Sequence, residues 1–583
     1  MNLSQKLSEI YKKHTLGIVV GFIIVIMFLL ALQGFDVVDE GWYMTFYQHF
    51  FNHPETVEYN FAFYLTGIVG GLWYALFPQG GILSFRILAM LCIVMTFVFS
   101  YKILIKYISK SVVVIGLLMV LFVNDFGYLA FYYNHLSSLL AVLTILFLLK
   151  GLSKNNLSFI VIAGCLTAIN VFSRLPNITL FAFSLVFPAQ FLWNKTLSFK
   201  YWFKQAIYYV FGALLGFVIM YLVLVSLGHL DIMHNAIIGI LDKGKNTGSN
   251  HNFSRLLSVY VKDYVLVIKM FLKIIVAFVI LISTRKLLFR YRFSKFIWYI
   301  LGIVLFVLVF RVYTIYSLYA FSLFGCMSLL LMKKVKLNYK VLSLLALIMM
   351  LFLPLGSDGG IHNVGYVSVW VALPLFLYVL EINFNWEVKN LSFNKLGLTK
   401  VLPVMITSFF LLKAYKISNE SYFDLGNRFH KTYPINNDLA KGVFTTKKRA
   451  QIFNELLPVL KQYVNKNDYL LAYDKIPMIN FLTETKPYMF NSWVWVYDGV
   501  MFKKQLDRAE EEIGILPIVV QQKFETIVAF SEPILDYMSE DKEENYRYNK
   551  GRVIAMNNFL QRNNYEIVWS NTHFNIYKPK STN

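Results

Sequence analysis

The chain has 583 residues, a formal net charge of +22, and a composition that is 57% hydrophobic, 17% aromatic and only 15% charged. Soluble domains carry about 25% charged residues, so a soluble globular fold is excluded, and the long uniform apolar runs exclude the alternating pattern of an outer-membrane barrel. The basic residues are dispersed through short loops between those runs, which excludes nucleic acid as a partner and reads as the inside-positive bias of a polytopic α-helical membrane protein.

The first run, Leu16 to Gly34, follows Lys6, Lys12 and Lys13 and lacks a small-x-small cleavage site. It reads as a retained span with its N-terminus in the cytoplasm. The next stretch, residues 35 to 60, carries Asp36, Asp39, Glu40, Glu55 and Glu58 without one Lys or Arg. Its carboxylates therefore emerge at the outer water edge of the bilayer. From Glu40 to Phe51 the aromatic crowding predicts a helix lying in the interface, with Asp39 as its N-cap. Free backbone amides and the positive end of the helix dipole would hold that carboxylate ionised, as a general base acting on a lipid-linked substrate requires. The alternative is that Asp39 only caps and Glu40 only suits the first turn.

Charge decides the path that follows. Lys102, Lys106 and Lys110 allow one crossing between residues 60 and 102, so Phe61 to Phe77 is expected to lie outside as a juxtamembrane or re-entrant helix, and Ile82 to Tyr101 is the second span. Continuing by the same rule gives about 13 spans, the last from Val401 to Lys413, with the C-terminus outside. His229 to Lys262 and the SDGGIHNVGY stretch (357–366) read as outer loops. From about Tyr415 the composition becomes that of a soluble domain, in which IFNELLPVLKQYV and KQLDRAEEEI alternate with DYLLAYD and PIVVQQ, an α/β pattern closed by YEIVWSNTHFNIYKP. The expected domains are 1–414 in the membrane, with outer juxtamembrane helices over 35–80, and 415–583 outside.

Polar groups gather on the expected outer side: Asp36, Asp39, Glu40, Asp125, Asn134, His135, Arg174, Arg311, Tyr313 and His362. Charges at membrane depth usually face a cavity or one another, so Arg86, Arg174 and Arg311 are functional candidates, and an outer Arg can hold a phosphate through paired charge-assisted bonds. The competing reading, an interfacial snorkel or structural ion pair, weighs most for Arg86. Asn134 and His135 stand at the start of a span, where capping competes with a ligand role. Cys92, Cys165 and Cys326 lie inside apolar runs, so neither a disulfide framework nor a cysteine metal site is readable. The histidines of the 229–262 loop match no metal spacing, and GKNTGSNHN lacks the phosphate-loop pattern. The soluble part has no nucleophile elbow, HExxH or GxGxxG, leaving it recognition or closure over the site.

DEGWYMTFYQHF after the first span, LWYALFP, SFRILAM and SRLPN together resemble the GT-C glycosyltransferases, nearest the branch of the protein O-mannosyltransferases and lipid A aminoarabinose transferases. The resemblance implies an Asp-Glu pair opening a juxtamembrane helix, here Asp39 and Glu40, with the Asp at the active site. It implies a GT-C-like membrane domain, a polyprenyl-phosphate sugar donor, an extracytoplasmic site in the plasma membrane, and a glycan, lipid or protein acceptor. A second acidic motif matches loosely as Asp125, with Asn134 and His135 competing, and leaves a divalent metal open as a cofactor. The expected catalytic set is Asp39, Glu40 and Asp125; the expected substrate-binding set is Asp36, Asn134, His135, Arg174, Arg311, Tyr313 and His362. A transporter or flippase of lipid-linked sugars is the alternative, to be recognised by related half-structures and helices broken near the midplane.

Overall fold

A computed structural model of the chain describes residues 3–123, 130–194, 197–245, 252–288, 294–310, 314–333, 335–383, 387–388, 391–392, 398–525, 534, 537–544 and 548–580. Asp125, Arg311 and Tyr313 lie outside the described residues.

The first part of the chain is helical. α1 (Leu3–Ala31), α2 (Asp39–His49) and α3 (Tyr64–Leu76) are followed by α4 (Gly81–Leu104), α5 (Lys110–Val123), α6 (Tyr133–Lys154) and α7 (Leu157–Val171). A 3-10 stretch, Leu175–Leu185, runs into α8 (Val186–Trp193), and then come α9 (Phe199–Ser226), α10 (Leu230–Lys245), α11 (Phe253–Leu288), α12 (Ser294–Phe310), α13 (Thr314–Leu331) and α14 (Leu337–Phe352). α15 (Gly360–Ser368) meets α16 (Ala372–Asn383) at a bend of 67°. A short strand pair, β1 (Glu387–Val388) with β2 (Leu391–Ser392), precedes α17 (Leu398–Asn419).

Among the described residues six helices are long and apolar enough to cross a membrane, or seven if the bent pair is one span. They include α4, α6, α9 and α11; shorter apolar helices such as α5, α7 and α14 fill the bundle between them. α9 shows what the outside of the bundle is like: Ile207, Val210, Leu214, Val218 and Leu222 are about half exposed, an apolar surface that suits lipid and not water. Gly164 and Gly212 permit α7 and α9 to touch, since a Cβ on either would lie 2.0 Å from a backbone oxygen of the other helix.

Two expected outer loops are helical. His229 to Lys262 contains α10, whose Met233, Ala236, Ile237, Ile240 and Leu241 recur at helical spacing; Met233 and Ala236 are buried, and the helix packs on the 3-10 segment Pro54–Phe63. SDGGIHNVGY contains α15, anchored by Asp263 of α11, whose Oδ1 accepts from Tyr316 Oη (2.7 Å) and whose Oδ2 accepts from the Ile361 amide (2.5 Å). Polarity alone concealed both helices, because their buried faces are short.

After α17 the chain makes a hairpin of β3 (Glu420–Ser421) and β4 (Asp424–Leu425), then β5 (Tyr433–Pro434) pairs with β6 (Phe444–Thr445). α18 (Lys447–Leu460), β7 (Tyr469–Tyr473), α19 (Met478–Thr483), β8 (Lys486–Pro487), α20 (Gly499–Ile513), β9 (Ile518–Gln522), α21 (Lys550–Arg562), β10 (Tyr565–Ser570) and β11 (Phe574–Pro579) complete it. The sheet order is β10-β11-β9-β7-β8, antiparallel from β10 to β9 and parallel from β9 to β8. On α18, Ile452, Leu456, Leu457 and Leu460 are all buried, as their spacing predicts.

The two parts interlock around residues 32–49. Phe444 forms a parallel bridge with Gln33, accepting from Gly34 N and donating to Leu32 O, both at 2.8 Å. α2 is expected to lie in the bilayer interface, yet ten of its eleven residues are buried. Its far side is covered by α19: Met478 N donates to Val37 O (3.1 Å), and a Cβ on Gly41 would lie 2.2 Å from Met478 N.

Candidate active site

The acidic stretch folds through Asp36. Its Oδ1 accepts from Val38 N (2.8 Å) and its Oδ2 from Glu40 N (3.0 Å), so Asp36 satisfies the free amides that open α2. Asp39, expected as the N-cap, is instead the first helical residue, after Val38, which makes no capping bond. One carboxylate has two oxygens and serves both amides, so the second carboxylate is left to face elsewhere.

Glu40 turns away from Asp39. Its Oε1 accepts from Arg86 Nε and its Oε2 from Arg86 Nη2, both at 2.7 Å, with each side chain only 4% exposed. Arg86 also donates to the carbonyls of Ala31 (2.7 Å) and Gly34 (2.8 Å). That cluster ties α1, the acidic stretch and α4 together, with both carboxylate oxygens engaged.

Asp39 lines a cavity of about 1000 Å³ between α2, the start of α6, α15 and the C-terminal sheet domain. Tyr422, in the loop of the β3–β4 hairpin, donates its hydroxyl to Asp39 Oδ2 at 2.6 Å. Burial pushes the Asp39 carboxyl up to about 6, against the pull of the Tyr422 bond, and the charges of Asp358 and Glu40 add to the rise. The shift runs opposite to the lowering that an N-capping carboxylate would show, yet at about 6 it leaves Asp39 mostly ionised at neutral pH.

Across the same cavity stands Arg174, 4% exposed. Its Nη2 donates to Leu353 O (3.0 Å) and Leu355 O (2.5 Å), its guanidinium lies 6.0 Å from the Tyr133 ring centre, and its Nε and Nη1 have no partner among the described residues. Asn134 and His362 also line the cavity. Asn134 donates to Tyr132 Oη (3.3 Å), and the Tyr132 and Tyr366 hydroxyls are hydrogen-bonded to each other. His135 is not among the lining residues; it is buried against Tyr132, ring centres 4.6 Å apart, with both ring nitrogens unpartnered among the described residues.

The structure adds groups that sequence reading missed. Asp358 enters from the turn before α15, and Lys475, Trp493, Trp495 and Glu525 enter from the C-terminal domain. Lys475 Nζ donates to Glu525 O (3.0 Å) and lies 5.5 Å from the Trp495 ring centre. Trp493 and Trp495 stack at 5.7 Å, and Asn491, which accepts from Trp42 Nε1 (2.8 Å), holds the Trp493 backbone from both sides. One wall is wholly aliphatic or aromatic: Ile237, Ile240 and Leu241 of α10 with Phe253, Leu256 and Leu257 of α11. The two-Trp spacing was the available signal for the roof, but nothing in the sequence tied it to Asp39. Among the described residues no three His, Cys, Asp or Glu side chains gather to hold a metal ion, and no step below is routed through one.

No protein-family model and no curated protein matches the chain. Among solved structures it is similar to ArnT from Cupriavidus metallidurans bound to undecaprenyl phosphate, at 10% identity and a TM-score of 0.48, over 97% of this chain and 98% of that one. The apo state of the same protein aligns at 11% identity and a TM-score of 0.39, over the same shares.

Proposed function

We propose that the chain is a membrane glycosyltransferase that moves one sugar from a polyprenyl-phosphate carrier to an acceptor hydroxyl on the outer face of a prokaryotic plasma membrane. One observation carries the reading: a single cavity joins a carboxylate, an arginine with unused donors and an apolar wall from α10 and α11. A polyprenyl-phosphate sugar has matching parts, a chain for the wall of α10 and α11, a phosphate for Arg174 and a sugar between them and the aromatic roof.

Transfer by single displacement inverts the anomeric carbon. Asp39 takes the acceptor proton as the acceptor oxygen bonds to that carbon. The bond from carbon to phosphate oxygen breaks, its electron pair leaving on the polyprenyl phosphate, which Arg174 stabilises. A carboxyl that titrates near 6 is well matched to this task at neutral pH. Glu40 and Arg86 hold the helix that presents Asp39, a structural duty in place of the catalytic one expected for Glu40.

Purified protein in nanodiscs, offered a panel of polyprenyl-phosphate sugars and glycan, lipid or protein acceptors, should release free polyprenyl phosphate only when an acceptor is present. Asp39→Asn should keep the fold, because Asp36 caps α2. It should slow turnover by about 100-fold or more, with donor binding little changed. Near-normal turnover by this variant would remove Asp39 from the mechanism.

A further inference from the structure

The β3–β4 hairpin joins the last helix of the membrane part to the sheet domain, and its two-residue loop is Tyr422 and Phe423. Three sets of bonds fix it. Asp424 Oδ2 accepts from the amide of Phe35 (2.9 Å) and from Thr445 Oγ1 (2.6 Å). Arg449 pairs with Asp424 (Nε to Oδ1, 3.3 Å) and donates to the carbonyls of Phe423 (2.6 Å) and Phe35. Ser421 Oγ donates to the Asp424 carbonyl at 2.8 Å.

Phe423 has φ of +46°, a left-handed conformation that costs a bulky residue and persists where surroundings impose it. Glycine would suit that place at no steric cost. The strained loop instead carries two aromatic residues, both lining the cavity, and sets the first one's hydroxyl on Asp39 Oδ2 at 2.6 Å.

We infer that Tyr422 is a positioning residue for Asp39: its phenol grips Oδ2, turns Oδ1 toward the acceptor hydroxyl, and makes the carboxylate's orientation and basicity depend on the docked hairpin. The inference rests on Asp39 serving as the base. During transfer the acceptor proton passes to Oδ1 while the phenol keeps its own proton. The ionisable groups whose charge reaches Asp39 are Asp36 and the Arg86-bound Glu40 from its own stretch, Asp358 from the turn before α15, the phenols of Tyr43 and Tyr133, and Tyr422. Of these, Tyr422 is the group that donates to Asp39 and favours its charged form.

Tyr422→Phe removes one oxygen and leaves the ring in place. Full-length protein labelled with 13C-aspartate, in nanodiscs, provides a readout independent of activity: the protonated-carboxyl infrared band that Asp39→Asn abolishes. Its titration midpoint should rise in Tyr422→Phe by roughly one pH unit, the worth of one charge-assisted hydrogen bond. An unmoved midpoint would overturn the inference, even in an active enzyme. In the transfer assay the variant should lose roughly tenfold in kcat at pH 7, with the acid limb moved to higher pH and donor KM unchanged. A uniform loss with an unmoved limb would make Tyr422 merely structural and also overturn it. A raised midpoint in protein that transfers no sugar would support the positioning role while defeating the proposed function.

Discussion

Asp36 and Asp39 stand three residues apart and do opposite work. Asp36 binds two amides and starts a helix; Asp39 begins inside that helix and is free of its backbone. Glu40, next in the chain, neutralises a guanidinium with which it is buried at 4% exposure. Removing one partner of such a pair leaves a buried charge uncompensated. Glu40→Gln should therefore destabilise the protein by about 3 kcal/mol, the low end for a broken buried pair because Gln retains one acceptor. Denaturant unfolding in detergent measures this. A loss below 1 kcal/mol would mean that water reaches Arg86 and that the pair does not anchor α2. The sequence made all three acids visible as one island, but could not divide these roles, since the division depends on Arg86 and Tyr422, 46 and 383 residues away from their partners.

At the scale of elements, α2 is held from both ends. Gly41 lets α19 approach its first turn, and at its last residue His49 Nε2 donates to the Thr485 carbonyl at 3.0 Å. Burial lowers the His49 pKa to about 4, although the Thr485 bond pulls the other way. Its ordinary value is about 6.5, so between pH 6.5 and 4 the unfolded chain binds a proton that the folded protein does not. Stability should therefore be full above pH 6.5 and fall as the pH drops toward 4, by on the order of 2–3 kcal/mol from this group. Comparing unfolding of wild type and His49→Gln across that range isolates the slope. If both lose stability equally, His49 is protonated in the folded protein and the latch is absent. The crowded rings of this stretch suggested a membrane interface; the burial that they serve is against a protein domain, because rings that suit an interface suit a core equally well.

For the whole molecule, the cavity constrains topology. Asp39, Asp358, Lys475 and Glu525 line one space, so the acidic stretch, the turn before α15 and the sheet domain share one side of the membrane. The proposed function takes that side as the outer one, the orientation expected from the Lys and Arg distribution. Thr432→Cys should react with an impermeant thiol reagent on intact cells, and Lys333→Cys only after lysis. Labelling of position 432 solely after lysis would place the cavity in the cytoplasm and end the outer-face mechanism.

Composition and charge by themselves determined a helical membrane protein followed by an α/β segment, and position made the Asp36–Glu40 island the place to look for chemistry. Each of these follows from local physics: apolar length, charge bias and repeating patterns are properties of neighbours in sequence. Tertiary structure alone decided that Asp39 and not Asp36 faces the cavity, that Arg174 joins it, and that a hairpin tyrosine and two tryptophans from beyond residue 415 close it. The reason is physical: a carboxylate's role is set by which donors reach it and how much water is removed, and both are fixed by segments hundreds of residues distant that meet only in the folded chain.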